Sequence, residues 1–282
     1  MKKVFTAFML LMFSMSIISH AGDGDIKNFR FGGTILPSLY WYKPDNLKKF
    51  SKNGIVAGFG VLINGEYSFG SNFAVGFGLG LGSAGGKIDF NGPKNDTVHY
   101  YYNDDNGMLA AADTAGLKGK WEHFRLNDRK YKASYYMIPI SLKMRTNEIG
   151  YLRYFFEPRL NIGLRKKVRA NDNVQAITTT TATPTTSLGT LSDHDPQTDV
   201  DITKDMSFMR LSVTLSAGGE YSLSGSSALV FSIGYDYGLS NAVQKDSQFL
   251  LRTLYSSNST TAKSVEQKFT QSGLIMTVGI LF

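Results

Sequence analysis

Large apolar residues recur at every second position in eight segments of the chain, and this is the period of a β-strand. The last segment shows the pattern clearly, because Leu274, Met276, Val278, Ile280 and Phe282 all leave one face of a single strand. The predicted strands are, in chain order, about Asn28–Tyr42, Gly54–Ser68, Phe73–Phe90, Lys130–Arg145, Arg153–Arg165, Ser207–Tyr221, Ala228–Asn241 and Val265–Phe282. The chain is therefore predicted to be all-β.

The connections between these strands alternate strictly between short and long. The short turns lie around 70–72, 147–150 and 224–226, and the long connections cover 43–53, 91–129, 169–206 and 241–264. Both chain ends fall on the side of the short turns, which is typical of outer-membrane barrels with short periplasmic turns and long extracellular loops. We predict a single antiparallel transmembrane β-barrel of eight strands, with long loops at about 91–129 and 169–206.

A soluble β-sandwich is the alternative fold for this strand pattern. In a sandwich the apolar face of each strand would meet a core, and the polar face would meet water. A sandwich has no reason to separate its connections by length, whereas a barrel in lipid does. No segment of the mature chain reaches the length of an apolar transmembrane helix, so a membrane-spanning form must be a closed barrel.

The amino-terminal segment has the pattern of a secretory signal peptide. Lys2 and Lys3 precede an apolar run from Val4 to Ile18, and the small residue Ala21 follows it. The predicted domains are a signal peptide at 1–21 and an outer-membrane barrel at 22–282.

Composition excludes several classes of protein. The chain has no cysteine, which excludes a lipoprotein anchor, disulfides and thiolate metal sites. Of its 30 lysines and arginines, Lys2 and Lys3 belong to the signal peptide, which leaves 28 against 23 acidic residues. These charges are scattered along the chain, so we expect no nucleic-acid binding.

Charged residues are frequent on the strand faces opposite to the apolar sets. One interpretation is a salt-bridged plug that locks the barrel, and the other is a positively biased channel for anions. An eight-stranded barrel is only just wide enough inside for side chains, which favours the plug. The predicted interior charge network consists of Arg30, Glu66, Lys143, Arg145, Arg153, Glu157, Arg159, Arg165, Arg210, Glu220 and Asp236.

The long connections hold the few residues that could support other chemistry. His99, His123 and His194 lack the paired spacing of a metal site or of a hydrolase, and we interpret them as solvated loop residues. We therefore predict no catalytic residue, no cofactor and no metal. Asp96-Thr97-Val98 and Asp113-Thr114-Ala115 have the form of Bacteroidetes O-glycosylation sites.

Six segments resemble the PorT-like outer-membrane β-barrel family of Bacteroidetes. They are Phe29-Arg30-Phe31-Gly32, Gly65-Glu66-Tyr67, Ile138-Pro139-Ile140-Ser141-Leu142-Lys143, Glu157-Pro158-Arg159 with Gly163, Gly218-Gly219-Glu220-Tyr221, and Tyr235-Asp236-Tyr237-Gly238-Leu239. The resemblance implies a barrel in the outer membrane, and the family's namesake implies an accessory role in type IX protein secretion.

The chain's ending resembles the terminal-Phe signal by which Gram-negative outer-membrane barrels are recognised for insertion. That resemblance implies an insertion signal read by the barrel-assembly machinery. Its residues would be Leu274, Met276, Val278, Ile280 and Phe282.

These patterns lead to a functional hypothesis. The chain is expected to be an integral outer-membrane barrel, in contact with lipid, with a non-catalytic envelope role in membrane integrity or in loop-mediated binding of a protein partner. The alternatives are a secretion accessory and a narrow pore or hydrophobe conduit.

Overall fold

The computed structural model describes residues 29–90, 96–103, 108–110, 121–178, 189–224, 227–256 and 259–282. The predicted signal peptide at 1–21 lies outside these residues. Within them, we find no helix with the length and apolar character that a membrane crossing requires.

The described residues form fifteen β-strands in one sheet, together with a short 3-10 helix at Thr203–Asp205. The strands are β1 (Phe29–Pro44), β2 (Ser51–Lys52), β3 (Val56–Ser68), β4 (Phe73–Asp89), β5 (Asp96–Asn103), β6 (Met108–Ala110), β7 (Trp121–Arg145), β8 (Leu152–Thr178), β9 (Thr190–Asp193), β10 (Gln197–Asp201), β11 (Met209–Ser224), β12 (Ser227–Asn241), β13 (Asp246–Ser256), β14 (Ser259–Glu266) and β15 (Phe269–Leu281).

Eight of these strands close into an antiparallel ring. Its order is β1, β3, β4, β7, β8, β11, β12 and β15, and β15 pairs back onto β1. The backbone N–H of Phe31 donates to the carbonyl of Phe282 at 3.3 Å, and the N–H of Phe282 donates to the carbonyl of Phe31 at 2.8 Å. Each ring strand overlaps one of the eight predicted strands, and β7 and β8 extend 9 and 13 residues beyond the predicted bounds. The predicted fold class is confirmed.

The outer wall of the ring is apolar near the short turns. On β4 the outward residues Phe73, Val75, Phe77, Leu79 and Leu81 are 39–66% exposed. At about 3.3 Å per residue they cover roughly 26 Å of strand. With a strand tilt of about 35–45°, this length rises roughly 20 Å along the barrel axis, which is most of the apolar band of about 25 Å that a membrane barrel presents to lipid.

The polarity of the wall inverts farther along the same strands. On β8, Leu160 and Leu164 face outward, but Val168 and Ala170 are fully buried inside. The β7–β8 register shifts at this point, and Lys166 is the additional residue of the resulting β-bulge. A single inserted residue moves the same alternation of apolar residues from the outer face to the inner face.

The segments 91–129 and 169–206, which the sequence pattern predicts to be long loops, contain β5, β6, β9 and β10 as well as the far ends of β7 and β8. We call this part of the sheet, with β2, β13 and β14, the head. Its inward residues form an apolar core. The core includes Tyr42, Phe50, Ile88, Tyr100, Phe124, Leu126, Tyr131, Val168, Val174, Ile202, Met206, Leu250 and Phe269.

The strand prolines do not produce the bulges that their missing N–H groups predict. Pro139 pairs with Asn161, and Pro158 with Leu215, in an unshifted register. The bulges lie elsewhere, between Leu126 and Asp128 on β7 and at Lys166 on β8. The sheet therefore accommodates the missing proline N–H groups without an inserted residue.

Tyr42 tests how much the head depends on its core. Its ring lies edge-on to Tyr131 with the ring centroids 5.2 Å apart, and a Cβ added at Gly86 would come within 2.5 Å of it. Its buried hydroxyl has no hydrogen-bond partner among the described residues. We expect Tyr42→Ala to lower the free energy of unfolding by roughly 3–5 kcal/mol, because it leaves a cavity. Tyr42→Phe should be neutral or stabilising, because it removes an unpaired polar group.

Urea unfolding of the two variants in lipid vesicles, with protease resistance of the head as a second readout, would measure this difference. Equal losses for both substitutions would contradict the assignment of Tyr42 to an apolar core.

Candidate functional site

Five charged side chains form a compact cluster inside the barrel, close to the short turns. Glu66 accepts hydrogen bonds from Arg30 at 2.7 Å, from Lys143 at 2.6 Å and from Arg145. Glu220 accepts from the same three cations, at 3.0, 2.8 and 3.2 Å respectively. Each cation therefore bridges both carboxylates. We call this group the plug.

Small residues on β4 allow the plug to form. Lys143 on β7 and Glu66 on β3 lie on either side of β4, at positions that pair with Ala74 and Gly76. Larger side chains there would stand between the two charged groups. The glycine-rich inward face of β4 thus makes room for the long side chains of its neighbours.

A second level of charged and polar residues lies above the plug. Arg159 donates to Glu157 at 2.9 Å, and Lys143 of the plug lies 4.0 Å from the same carboxylate. Arg210 donates to Asp236, which also accepts from Thr214 at 2.8 Å. These are the pairings that buried charges require, since an unpaired ion inside a protein is costly.

The charges of the described interior nearly balance. Arg30, Lys143, Arg145, Arg159 and Arg210 face Glu66, Glu157, Glu220 and Asp236, which leaves one excess cation. A cavity of about 40 Å³ beside the plug and one of about 10 Å³ above it have room for water molecules only. This arrangement favours the plug over an anion channel.

Two members of the predicted network lie apart from it. Arg153 turns to Glu148 in the short turn between β7 and β8, at 2.7 Å, and about a third of each side chain is exposed. Arg165 donates to the backbone carbonyl of Met206 at the base of the head. The alternation pattern places both residues inward, but it carries no information about which partner a long side chain reaches.

The head contains a buried ion pair that the sequence pattern does not predict. Arg129 donates to both carboxylate oxygens of Asp172, at 2.7 and 2.6 Å, and both side chains are fully buried. The guanidinium also lies 5.6 Å from the ring centre of Tyr100. Asp172 follows the β8 bulge at Lys166, and Arg129 lies next to the β7 bulge between Leu126 and Asp128. Both residues therefore lie outside the alternating segments from which the strands are predicted.

The histidines of the head are not solvated loop residues, which corrects the prediction for His99 and His123. His99 is buried on β5, with its Nε2 2.7 Å from the Thr253 hydroxyl and its Nδ1 2.8 Å from Nε2 of His123. The His123 ring stacks on Tyr101 at 4.3 Å. His194 is half-buried, with its ring centre 4.7 Å from that of Phe124.

Burial dominates the protonation of this histidine pair. It lowers the pKa of His99 to about 3, with a further contribution from His123, and it lowers the pKa of His123 to about 4. Both rings are therefore neutral near pH 7. Among the described residues, no three histidine or carboxylate groups are close enough together to hold a metal ion.

The remaining predicted sites lie on β15 and β5. Leu274 and Met276 face outward and are about half exposed, and Val278, Ile280 and Phe282 are partly exposed. Thr97, in the first segment that resembles a glycosylation site, is half-buried on β5, next to the buried Val98. The second site, at 113–115, lies outside the described residues.

One family of known proteins matches most of the chain in sequence. The sequence model of a family described as "Outer membrane protein beta-barrel domain" matches residues 22–244. No curated protein matches the chain in sequence.

Solved structures with a similar arrangement include Neisserial surface protein A, with 11% identity, coverage of 90% of this chain and 96% of that chain, and a TM-score of 0.38. The attachment invasion locus protein Ail of Yersinia pestis has 10% identity, coverage of 90% and 98%, and a TM-score of 0.34. The protease OmpT of Escherichia coli has 11% identity, coverage of 93% and 99%, and a TM-score of 0.29.

Removing one carboxylate of the plug tests its contribution to stability. Glu220→Gln would leave the buried Lys143 and Arg145 and the largely buried Arg30 with Glu66 as the one carboxylate within hydrogen-bond distance. We expect a loss of roughly 3–5 kcal/mol in the free energy of unfolding. The matched control is Glu148→Gln, which breaks the partly exposed pair with Arg153 and should cost less than about 1 kcal/mol.

Both variants can be measured by urea unfolding in lipid vesicles. A loss for Glu220→Gln no larger than that for Glu148→Gln would contradict the plug.

The histidine pair predicts a pH dependence of the head. The unfolded rings titrate near pH 6.5, and the folded rings titrate at about 3 and about 4. Between these values the unfolded state binds more protons, so the stability of the head should fall as the pH drops from about 6.5 towards 4. The double variant His99→Gln/His123→Gln should show a flatter profile over this range.

Urea midpoints measured at several pH values between 7.5 and 4 would give both profiles. Parallel profiles for the wild type and the double variant would show that other groups cause the dependence.

Proposed function

The chain belongs to the outer-membrane β-barrel domain family, and we propose that its sealed barrel has a non-catalytic role in the cell envelope, holding the head where a protein partner can bind it. The barrel lies in the outer membrane with its apolar wall against lipid, its short turns on the periplasmic side and its head on the extracellular side.

The filled interior is the observation that carries the proposal. In the membrane-spanning half, the plug and the pairs above it occupy the space between the strands. In the head, the apolar core around Tyr42, Tyr131 and Phe269 fills the space between the strands above the plug. A solute would have to displace both layers in series, which argues against a pore or a hydrophobe conduit.

A hydrolytic role has little support in the head. A hydrolase needs a nucleophile and a base, with a third group that orients the base towards a bound substrate. His99 is buried and bonded through both nitrogens, to His123 and Thr253, so it has no free nitrogen for a substrate. The non-catalytic role is supported by this arrangement.

The extended β-structure of the head supports a role in binding. β7 and β8 continue from the membrane into the head without interruption, and β5, β9 and β10 pair onto these extensions. Such a scaffold holds its connecting segments in place, and loops held on a rigid scaffold are where binding functions concentrate. The same scaffold could serve membrane integrity through its lipid-facing wall.

We further propose that the chain is a PorT-like barrel of Bacteroidetes. Each of the six resembling segments supplies a charged residue to the barrel interior, so the resemblance coincides with one structural feature. These residues are Arg30, Glu66, Lys143, Glu157 with Arg159, Glu220 and Asp236.

Two interactions belong to this wider proposal. The outward face of β15 would serve as the signal for the barrel-assembly machinery during insertion. A role as an accessory of type IX secretion would additionally require a defined partner on the head or on the periplasmic turns.

Planar-bilayer recordings test the central proposal. We expect no discrete conductance steps from the purified protein, because the plug and the head core close the interior in series. Glu220→Gln should also remain silent, since it weakens the plug and leaves the head core intact. A porin reconstituted in the same way is the positive control, and reproducible steps from the wild-type protein would overturn the sealed-barrel proposal.

A further inference from the structure

We propose that a basic patch on the outer wall of the barrel binds the phosphate groups of phosphorylated glycolipids in the outer leaflet of the membrane. The patch consists of Lys130 and Lys132 on β7 and Lys166 and Lys167 on β8. It lies on the lipid-facing side of the wall, so the proposal is independent of the sealed interior.

The β-strand register brings these lysines together. Lys132 pairs with Arg169, and Lys167 pairs with Ser134, so the two strands present their cations side by side. The bulge at Lys166 adds a further cation, because it leaves Lys166 and Lys167 both exposed as chain neighbours. The patch therefore depends on a local irregularity of β8.

The height of the patch matches the polar layer of the membrane. Tyr136 and Leu164 are the last outward apolar residues on β7 and β8 before the wall turns basic. Lys166 follows Leu164 by two residues and Lys132 precedes Tyr136 by four, which corresponds to roughly 7–13 Å along the strands. The strand tilt reduces this rise, so the lysines lie at about the depth of the lipid headgroups.

The patch lysines form no direct ion pairs among the described residues, although the charge of Lys167 acts on the carboxylate of Asp201 from a greater distance. Neighbouring cations do form such pairs: Lys87 lies 3.0 Å from Asp128, and Arg169 lies 3.7 Å from Asp201. Within the described ranges, none of the four patch lysines has a carboxylate within ion-pair distance. Lys166 instead lies 5.7 Å from the ring centre of Tyr136.

Like charges on paired strands destabilise a sheet unless an anion lies between them. Lys130 lies directly opposite Lys87, and Lys132 opposite Arg169. Asp128 offsets Lys87 and Asp201 offsets Arg169, which leaves Lys130 and Lys132 as the uncompensated member of each pair. A phosphate bound at the wall would compensate these two ammonium groups. The charge distribution therefore fits an anionic ligand supplied from outside the protein.

An adjoining cleft fits the sugar part of such a lipid. The cleft has a volume of about 260 Å³, near the lower end for small-ligand sites. Lys130 belongs to both the cleft and the patch, and Asn171, Asn173 and Asp128 also line the cleft. The Asn173 amide donates to Asp128 at 3.2 Å, and the Asn171 side-chain oxygen accepts from the backbone N–H of Asp199 at 3.2 Å, so the Asn171 amide nitrogen is the group that faces a ligand without one of these bonds. Asp128 is already paired with Lys87, so it does not cancel the patch. A saccharide bearing phosphate could place its hydroxyls here and its phosphates on the lysines.

Binding of defined lipids to the full-length protein in nanodiscs or detergent micelles tests the proposal. The probes are diphosphorylated lipid A, the same lipid after enzymatic removal of its phosphates, and inorganic phosphate. The patch variant is Lys132→Gln/Lys166→Gln/Lys167→Gln. The control variant is Lys245→Gln/Lys263→Gln/Lys268→Gln, which removes the same charge from exposed positions elsewhere in the head.

We expect the patch variant to bind the phosphorylated lipid on the order of 100-fold more weakly, at roughly fivefold per lysine near an anionic surface. The control variant should bind like the wild type, and increasing salt should weaken wild-type binding. Unchanged heat-modifiability on gels would show that the patch variant is folded.

Three results would overturn the proposal. Equal losses in the two triple variants would show a non-specific effect of net charge. Equal binding of the dephosphorylated lipid would show that phosphate is not recognised. Displacement of the lipid by inorganic phosphate at comparable concentration would show an anion site with no requirement for a lipid.

Discussion

Eight strands enclose a space that is only about as wide as the side chains that fill it. Every inward residue must therefore find its partner inside the ring. Lys143 reaches Glu66 across the small residues of β4, and Tyr42 approaches the backbone of Gly86. The narrow interior of the closed ring thus explains three features: the paired charges of the plug, the packed core of the head and the glycines on β4 that leave room for larger neighbours.

The surroundings of the outer wall decide which chemistry fills each half. Where lipid covers the wall, the apolar residues must face outward, and the interior receives the polar ones, which are stable only as paired charges. Where water covers the wall, the usual arrangement returns, with apolar residues inside and lysines outside. The bulge at Lys166 marks this change on β8, since one inserted residue exchanges the two faces of the strand.

A barrel filled in this way leaves its outer surfaces for function. The periplasmic side offers short turns, the membrane side offers an apolar wall with a basic border, and the extracellular side offers the head. The head is held by its own core, by the Arg129–Asp172 pair and by the continuation of β7 and β8. The surface of the head is thereby fixed in position relative to the membrane.

The sequence by itself determined the ring strands and the orientation of their side chains, because a period of two is a local property of the chain. It also identified most of the interior charges, since residues such as Glu66, Glu220 and Asp236 fall on the inward face.

Only the tertiary structure decided which of these charges meet in the plug, because Arg30, Lys143 and Glu220 lie on strands far apart in the chain. It also decided that the predicted loops form a packed head. The bulges at 126–128 and at Lys166 interrupt the alternation of apolar and polar residues. Whether a residue forms a bulge depends on how the neighbouring strand pairs with it, so the sequence pattern of one strand does not reveal it. The contact between His99 and His123 is also a result of the tertiary structure. The two residues lie 24 positions apart in the chain, and the pairing of β5 with β7 brings them within hydrogen-bond distance.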